Sequence, residues 1–261
     1  MATAAPQPFD ALHGAGLPAD WVSVLADGCR IRAAAPPAPA AGIIGGRVLV
    51  LLGSEEDAAD AALWAPPYAA WVEATSPATP GHHPEAGASP AAILPAVTAA
   101  VNRAGQAHLF ASLSTATANA VHLAGRVMAA VSARCPTLTD TQRDDVELAL
   151  HEAISNAVVH GNLQVAGMKG LNVDALDRFS HDLAERMADP AFAGRRVEVS
   201  CWLAPDTLTV DVTDEGSGFD PAPRNDAGPD ASGRGLDLIT LLAQSVELLD
   251  HGRRIRMRFT L

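Results

Sequence analysis

Lysine is almost missing from this chain of 261 residues. Of its 18 basic side chains only Lys169 is a lysine, and 30 acidic residues outweigh them for a net charge of −12. An acidic surface repels phosphate backbones and anionic lipid headgroups, which argues against coating nucleic acid or lying on a membrane through a polybasic patch. A basic protein partner suits it better. Cysteine is scarce too: Cys29, Cys135 and Cys201 are odd in number, widely spaced and form no CxxC pair. This excludes a disulfide framework and a zinc ribbon, and fits a reducing cytoplasm. Long apolar runs are also lacking. The longest such stretch, Ala33 to Gly53, is broken by Pro36, Pro37, Pro39 and Arg47, and no basic segment leads into an apolar run near Met1. The reading therefore expects neither a secretory signal nor a membrane span. What is plentiful is small apolar surface: 48% of the residues are hydrophobic, enough for a packed core and incompatible with wholesale disorder.

Composition changes along the chain. Residues 1–105 hold 13 of the 19 prolines and 4 basic residues, whereas 106–261 hold the other 14 basic residues, so a domain boundary is placed near Gly105. In the first part Arg47 to Leu52 reads as a buried strand, Ser54 to Trp64 as a helix capped by its serine, and Ala91 to Arg103 as another helix. Thr75 to Pro90 is turn-rich and reads as a loop, its His82–His83 pair lacking a third ligand at a useful spacing. The outline is a small α/β module. Its last helix is faintly similar to that of response-regulator receiver domains, but no aspartate follows a strand as a phosphoacceptor would.

Beyond Gly105 the periodicities are firmer. His108 to Ser112 reads as a strand, Ala116 to Ala133 as a helix, and a further helix starts at Thr139–Asp140 with an apolar stripe from Val146 to Val158. Val173 to Met187 reads as a charged surface helix, within a long connection, 162–195. Val197 to Leu203 and Leu208 to Val212 read as a hairpin. A helix from Leu236 to Ala243, a strand from Val246 to Leu249 and a last strand alternating Arg254, Arg256 and Arg258 with Ile255, Met257 and Phe259 complete an α/β arrangement, with helices on one face of a mixed, mostly antiparallel sheet.

Three short segments carry chemistry. In HEAISNAVVH, Glu152, Asn156 and His160 recur every four residues and would form one polar ridge on a helix. A carboxylate, an amide and an imidazole facing one cleft suit hydrated Mg²⁺, with Asn156 as the direct oxygen ligand and His160 better read as a structural cap of the helix; alone, the ridge equally fits the solvent face of an amphipathic helix. In VTDEGSGFD, Asp214 ends a strand with Gly216 and Gly218 behind it, an arrangement that lets backbone approach a flat ligand while a carboxylate accepts from an exocyclic amine; alone, it is a common turn. In SGRGLDLI, Gly233, Arg234, Gly235 and Leu236 open a helix, whose free amides and dipole favour an anion.

In this order and spacing, the three segments resemble the N, G1 and G2 boxes of the GHKL ATP-binding superfamily, the Bergerat fold of histidine kinases, gyrase, Hsp90 and MutL. DVELALHEAISNAVVH is most similar to the anti-sigma serine/threonine kinases of the RsbW and SpoIIAB type. The resemblance covers 106–261. It implies ATP and Mg²⁺ as cofactors, Glu152 as general base or water-orienting carboxylate, Asn156 as the Mg²⁺ ligand and Asp214 as the adenine anchor. It further implies a nucleotide site lined by Gly216, Gly218, Gly233, Gly235 and Leu236, with Arg234 adding charge at the transferring phosphoryl group. Asp220 to Ala231 would be the ATP lid. Partners would be a sigma factor and a STAS-domain antagonist, with homodimerisation and no nucleic acid. The chain departs from the family where a Gly-Thr pair often precedes the last strand; here the sequence is Gly252-Arg253-Arg254. A histidine-kinase catalytic domain, with His122 on the helix before the N box but without the usual acidic neighbour, and an inactive nucleotide-binding adaptor are the alternatives.

Overall fold

The computed structural model describes residues 9–34, 46–74, 89–167, 172–219 and 234–261. Most of the turn-rich loop with His82 and His83, the lid segment, Gly233 and the side chain of Arg234 lie outside these residues.

One eight-stranded sheet organises the chain. Its strands are β1 (Ala11–Ala15), β2 (Val48–Leu52), β3 (Tyr68–Glu73), β4 (Leu109–Ser114), β5 (Arg196–Ala204), β6 (Thr207–Asp214), β7 (Ser245–Leu249) and β8 (Arg254–Thr260). They lie in the order β1-β2-β3-β4-β5-β6-β8-β7. The first four are parallel and the remaining four pairings antiparallel. The compositional boundary at Gly105 does not interrupt it: β3 pairs directly with β4, Ala70 opposite Phe110 and Val72 opposite Ser112. The parallel strands run in simple sequential order, without the reversal of the receiver-like order 2-1-3-4-5.

Burial explains the two halves' different sequences. Every residue of β2 is buried, because helices cover both faces of the parallel half. On one face lie α1 (Ala19–Cys29) and α3 (Pro90–Ala104), which bury Trp21, Leu25, Ile93 and Val97 against Leu49, Leu51 and Phe110. On the other face α2 (Glu55–Ala59), capped by Ser54, and a 3₁₀ turn, Ala61–Trp64, bring Trp64 to stack on Trp71 at 4.3 Å. Each indole N–H finds a carbonyl, Ala58 and Leu63 respectively, as a buried tryptophan requires.

The antiparallel half alternates instead. Val197, Val199 and Cys201 on β5, with Val210, Val212, Met257 and Phe259, face a helical layer. This layer contains α4 (Thr115–Ala120), α5 (Leu123–Ser132), α6 (Asp140–Asn156) and α9 (Arg234–Leu242). The opposite face of this half carries Glu198, Asp211 and Arg256, joined into ion pairs: Arg103 grips Glu198 at 2.6 Å, and Arg256 grips Asp211 through two bonds of 2.8 Å. The expected single helical face therefore holds for the antiparallel half, while the parallel half is covered twice. The helix expected over 116–133 is two helices, α4 and α5, because His122 adopts the left-handed conformation (φ 50°) between them. Past α6, α7 (Val173–Ala188) lies largely on the surface, resting on half-buried Phe179, Leu183 and Met187, and the one-turn α8 (Pro190–Ala193) leads back to β5.

Candidate functional site

The site is built on α6. Thr139 and Gln142 close a reciprocal capping box: the threonine hydroxyl takes the Gln142 N–H at 3.2 Å and the glutamine carbonyl takes the Thr139 N–H at 3.0 Å. From that start Val146, Ala149, Leu150, Ala153 and Ile154 are buried, which leaves Glu152 and Asn156 half-buried at the edge of the stripe. Neither side chain has a hydrogen-bond partner among the described residues.

Across from them is the first turn of α9. A Cβ on Gly235 would stand 2.8 Å from Glu152 Oε2 and 3.3 Å from Asn156 Nδ2, so the glycine backbone lies directly against both side chains, and a larger residue would push the Glu152 carboxylate aside. α9 opens here, and because the first-turn N–H groups of a helix have no acceptor within it, such a start favours phosphate. Leu236 is half-buried in the same turn.

The helix does not end as a four-residue ridge. Ala157–Asn162 is a π-helical turn, with the Leu163 N–H reaching Val158 O at 2.9 Å. The wider turn takes His160 off the ridge; the ring is exposed, and its Nδ1 donates to Val165 O at 2.7 Å. His160 thus fastens the helix end, and of the expected three-residue ridge Glu152 and Asn156 alone meet at Gly235. The same turn carries Gly161 onto Asp214, where a Cβ would come within 2.5 Å of the carboxylate carbon.

Asp214 ends β6 with its N–H bonded to Arg253 O at 3.0 Å. Its Oδ1 takes the Gly216 N–H at 2.8 Å, while no described residue donates to Oδ2. Burial pushes this carboxyl up to about 6, against the pull of the Gly216 N–H and of the Arg253 and Arg195 guanidiniums. Gly216 packs directly on Gly161, a Cβ there meeting Gly161 O at 2.2 Å. Gly218 (φ 76°) serves differently: it packs on the His251 carbonyl and, with Gly252 (φ 80°) against Phe219, locks the loop after β6 to the turn before β8. At the Gly252-Arg253-Arg254 departure, Arg253 thus supports Asp214 through its carbonyl and its charge.

Two residues absent from the motif reading complete the site. Gly161 provides the close approach to Asp214. Asn162, fully buried, donates through Nδ2 to Thr115 Oγ1 (2.8 Å) and Arg196 O (2.9 Å), and its Oδ1 accepts from Glu215 N at 2.8 Å. Their only signal in the sequence was a Gly-Asn pair after a helix, which reads as a helix stop.

The arrangement has two poles on one helix. At one, Glu152 and Asn156 face the glycine-opened N-terminus of α9; at the other, a half-buried carboxylate lies between two glycines. The residues fit a nucleotide: the open Asp214 oxygen matches an exocyclic amine, the bare glycine backbone leaves room for a flat ring, and the start of α9 matches phosphate. Among the described residues no group of three or more His, Cys, Asp or Glu side chains is placed to hold a metal. A layer of helices on a mixed sheet, with these poles on the helix before the hairpin and on the one after it, defines a GHKL-type ATPase fold. The family model of the histidine kinase-like ATPase domain matches residues 114–259. The chain belongs to that family, and the match starts at the last residue of β4, leaving β1 to β3 outside it. No curated relative matches the chain. Among the described residues no helix is long and apolar enough to cross a membrane.

Proposed function

We propose that the chain is an ATP-dependent serine/threonine kinase of the anti-sigma type, which binds Mg²⁺-ATP, phosphorylates a STAS-domain antagonist and sequesters a sigma factor as a cytoplasmic homodimer. The observation that carries the nucleotide part is the pairing of Gly235 with Glu152 and Asn156 in the last turns of α6, and of Gly161 with Asp214 in the π turn just beyond. From Glu152 to Gly161 the helix advances roughly 13 Å, which separates a base pole from a phosphate pole. Asp214 would hold the adenine amine, with Gly161 and Gly216 against the ring. Asn156 would offer one oxygen to a Mg²⁺ ion that keeps most of its own water and takes the rest of its ligands from phosphate. That ion neutralises charge on the phosphates when bound. Glu152, without a hydrogen-bond partner among the described residues, would accept the proton of an incoming hydroxyl, which a serine needs because it is too weak an acid to attack unaided. Arg234 is proposed to add charge beside the phosphoryl group.

His122 gives the histidine-kinase alternative no support, since it sits at a break between helices rather than on a helix face. The test is calorimetric titration of Mg²⁺-ATP into the full chain, followed by incubation with a STAS-domain protein and an acid wash. Acid-stable phosphate on the partner is the expected result. Tight nucleotide binding without any transfer would reduce the chain to a nucleotide-binding adaptor, and acid-labile phosphate would make it a histidine kinase.

A further inference from the structure

A buried polar chain runs from the N-terminal half of the molecule to the Asp214 turn. Glu73, the last residue of β3, is fully buried; its carboxylate takes the Ser114 N–H at 2.6 Å and the Ser114 hydroxyl at 3.1 Å, and lies 3.9 Å from Arg196 Nη1. The next residue, Thr115, donates its hydroxyl to Arg195 O at 2.8 Å and accepts Asn162 Nδ2 at the same distance. Asn162 in turn accepts the Glu215 N–H, and Arg195 Nη1 donates to Asn162 O at 2.6 Å. Arg196 closes the circuit, with its N–H on Glu215 Oε2 at 2.8 Å and its guanidinium beside Glu73. Ser114, Thr115 and Asn162 are each at most 1% exposed, so the Glu73–Ser114 and Thr115–Asn162 bonds have no water to replace them, while the bonds of Glu215 lie nearer the surface.

We infer that Glu73, Thr115 and Asn162 are positioning residues for the nucleotide base: they fix the π turn and the end of β6 relative to one another, and so set where the Asp214 carboxylate meets its ligand. The geometry leaves little slack, because Gly161 and Gly216 already touch that carboxylate and each other; a shift of the π turn by a few tenths of an ångström moves the carboxylate or closes the space beside it. The chain begins outside the matched family region, at a residue of β3. The N-terminal half is therefore part of the support of the nucleotide site, and not an appendage to it. Buried hydrogen-bonded networks of this kind hold geometry because each lost partner leaves another polar group stranded.

The inference rests on the reading of Asp214 as base anchor, and the test separates the two. Mg²⁺-ATP and Mg²⁺-GTP are titrated calorimetrically into the full chain and into Asp214→Asn, Glu73→Gln, Asn162→Asp and Thr115→Val, with thermal melts of each. Thr115→Val is nearly isosteric and keeps the test readable should the two polar variants fold poorly. The expected result is that Thr115→Val and the folded polar variants bind ATP about three- to tenfold more weakly, with GTP affinity unchanged, so that discrimination between the bases narrows. A general loosening would weaken both nucleotides alike, and that result overturns the inference. ATP weakened by Asp214→Asn but not by Thr115→Val or the folded polar variants also overturns it, and leaves the anchor standing. ATP binding untouched by Asp214→Asn removes the anchor itself, and the inference with it.

Discussion

Replacing Asp214 by asparagine should make the nucleotide-free protein more stable while spoiling its binding of ATP. The wild-type carboxyl is raised from 3.8 to about 6, chiefly by burial. A raised carboxyl holds its proton to higher pH in the folded protein than in the unfolded chain, so ionising it opposes folding. The cost is absent below about pH 4, where both states are protonated, grows between about pH 4 and 6, and is fully present above that. At about 1.4 kcal/mol per pH unit the shift corresponds to about 3 kcal/mol. The side chain is only half-buried, and solvent screening reduces this to about 1–2 kcal/mol. Asparagine keeps an oxygen for the Gly216 N–H and never ionises, so it avoids the cost. For a chain of this size the gain is roughly 3–6 °C in melting temperature. Paired melts of the two proteins from pH 4 to pH 8 read this directly: the advantage of the variant should open as pH rises. A variant no more stable than the parent at pH 8, or one whose advantage is undiminished at pH 4, would refute the reasoning. In calorimetry the wild type should bind Mg²⁺-ATP more weakly as pH falls below 6, because a proton then competes for the oxygen offered to the base.

Three further outcomes follow from the geometry. Gly235→Ala should slightly stabilise α9, by up to about 1 kcal/mol, since the new methyl meets the movable end of Glu152; phosphoryl transfer should nonetheless fall more than about tenfold, as measured by the rate of phosphate incorporation into a STAS-domain protein. Glu152→Gln should leave calorimetric ATP affinity within about threefold of the parent and lower the transfer rate by about a hundredfold or more, the usual contribution of a general base. Thr139→Ala breaks the capping box and should cost about 1 kcal/mol in denaturant unfolding, with no change in nucleotide affinity.

How much of this was legible in the sequence depended on how local the signal was. The start of α6 at Thr139–Asp140, its apolar stripe, the β5–β6 hairpin and the alternation of β8 are written in neighbouring residues, and each forms close to its expected bounds. β1, α1 and β3 were not read. ALHGA is short and contains glycine, the helix after it starts at Pro18 without a side-chain cap, and YAAWVE is rich in alanine, so none stands out against a turn or a helix. The pairing of β3 with β4 is a contact between distant segments that no periodicity encodes. Glu152, Asn156, Asp214 and Gly235 were found because their residue types and order form a pattern. The departure of His160 from that pattern came from the π turn, whose one extra residue per turn is invisible to a four-residue count. Asn162 is the clearest omission: its role depends on Thr115, Arg196 and Glu215, which come from three other elements.

The continuity of the sheet through β4 also decides which backbone is left for other chains to pair with. Within the region matched by the family, β5 would be an outermost strand, with a row of N–H and C=O groups open to pairing. Here β4 covers that row from Arg196 to Cys201, pairing Leu109 with Cys201 at one end and Ser114 with Arg196 at the other. At the far end of the sheet the outer side of β1 is itself covered in part by the segment around Ala33, which bridges Leu12. Among the described strands that leaves β7 as the open margin. A charged residue, Glu247, sits at its midpoint, and a symmetric antiparallel docking of two copies there would set glutamate against glutamate, the kind of mismatch that discourages edge-to-edge growth. Severing the chain at Gly105 would undo this protection, exposing the β4 edge and Phe110 together, the combination that invites edge-to-edge aggregation.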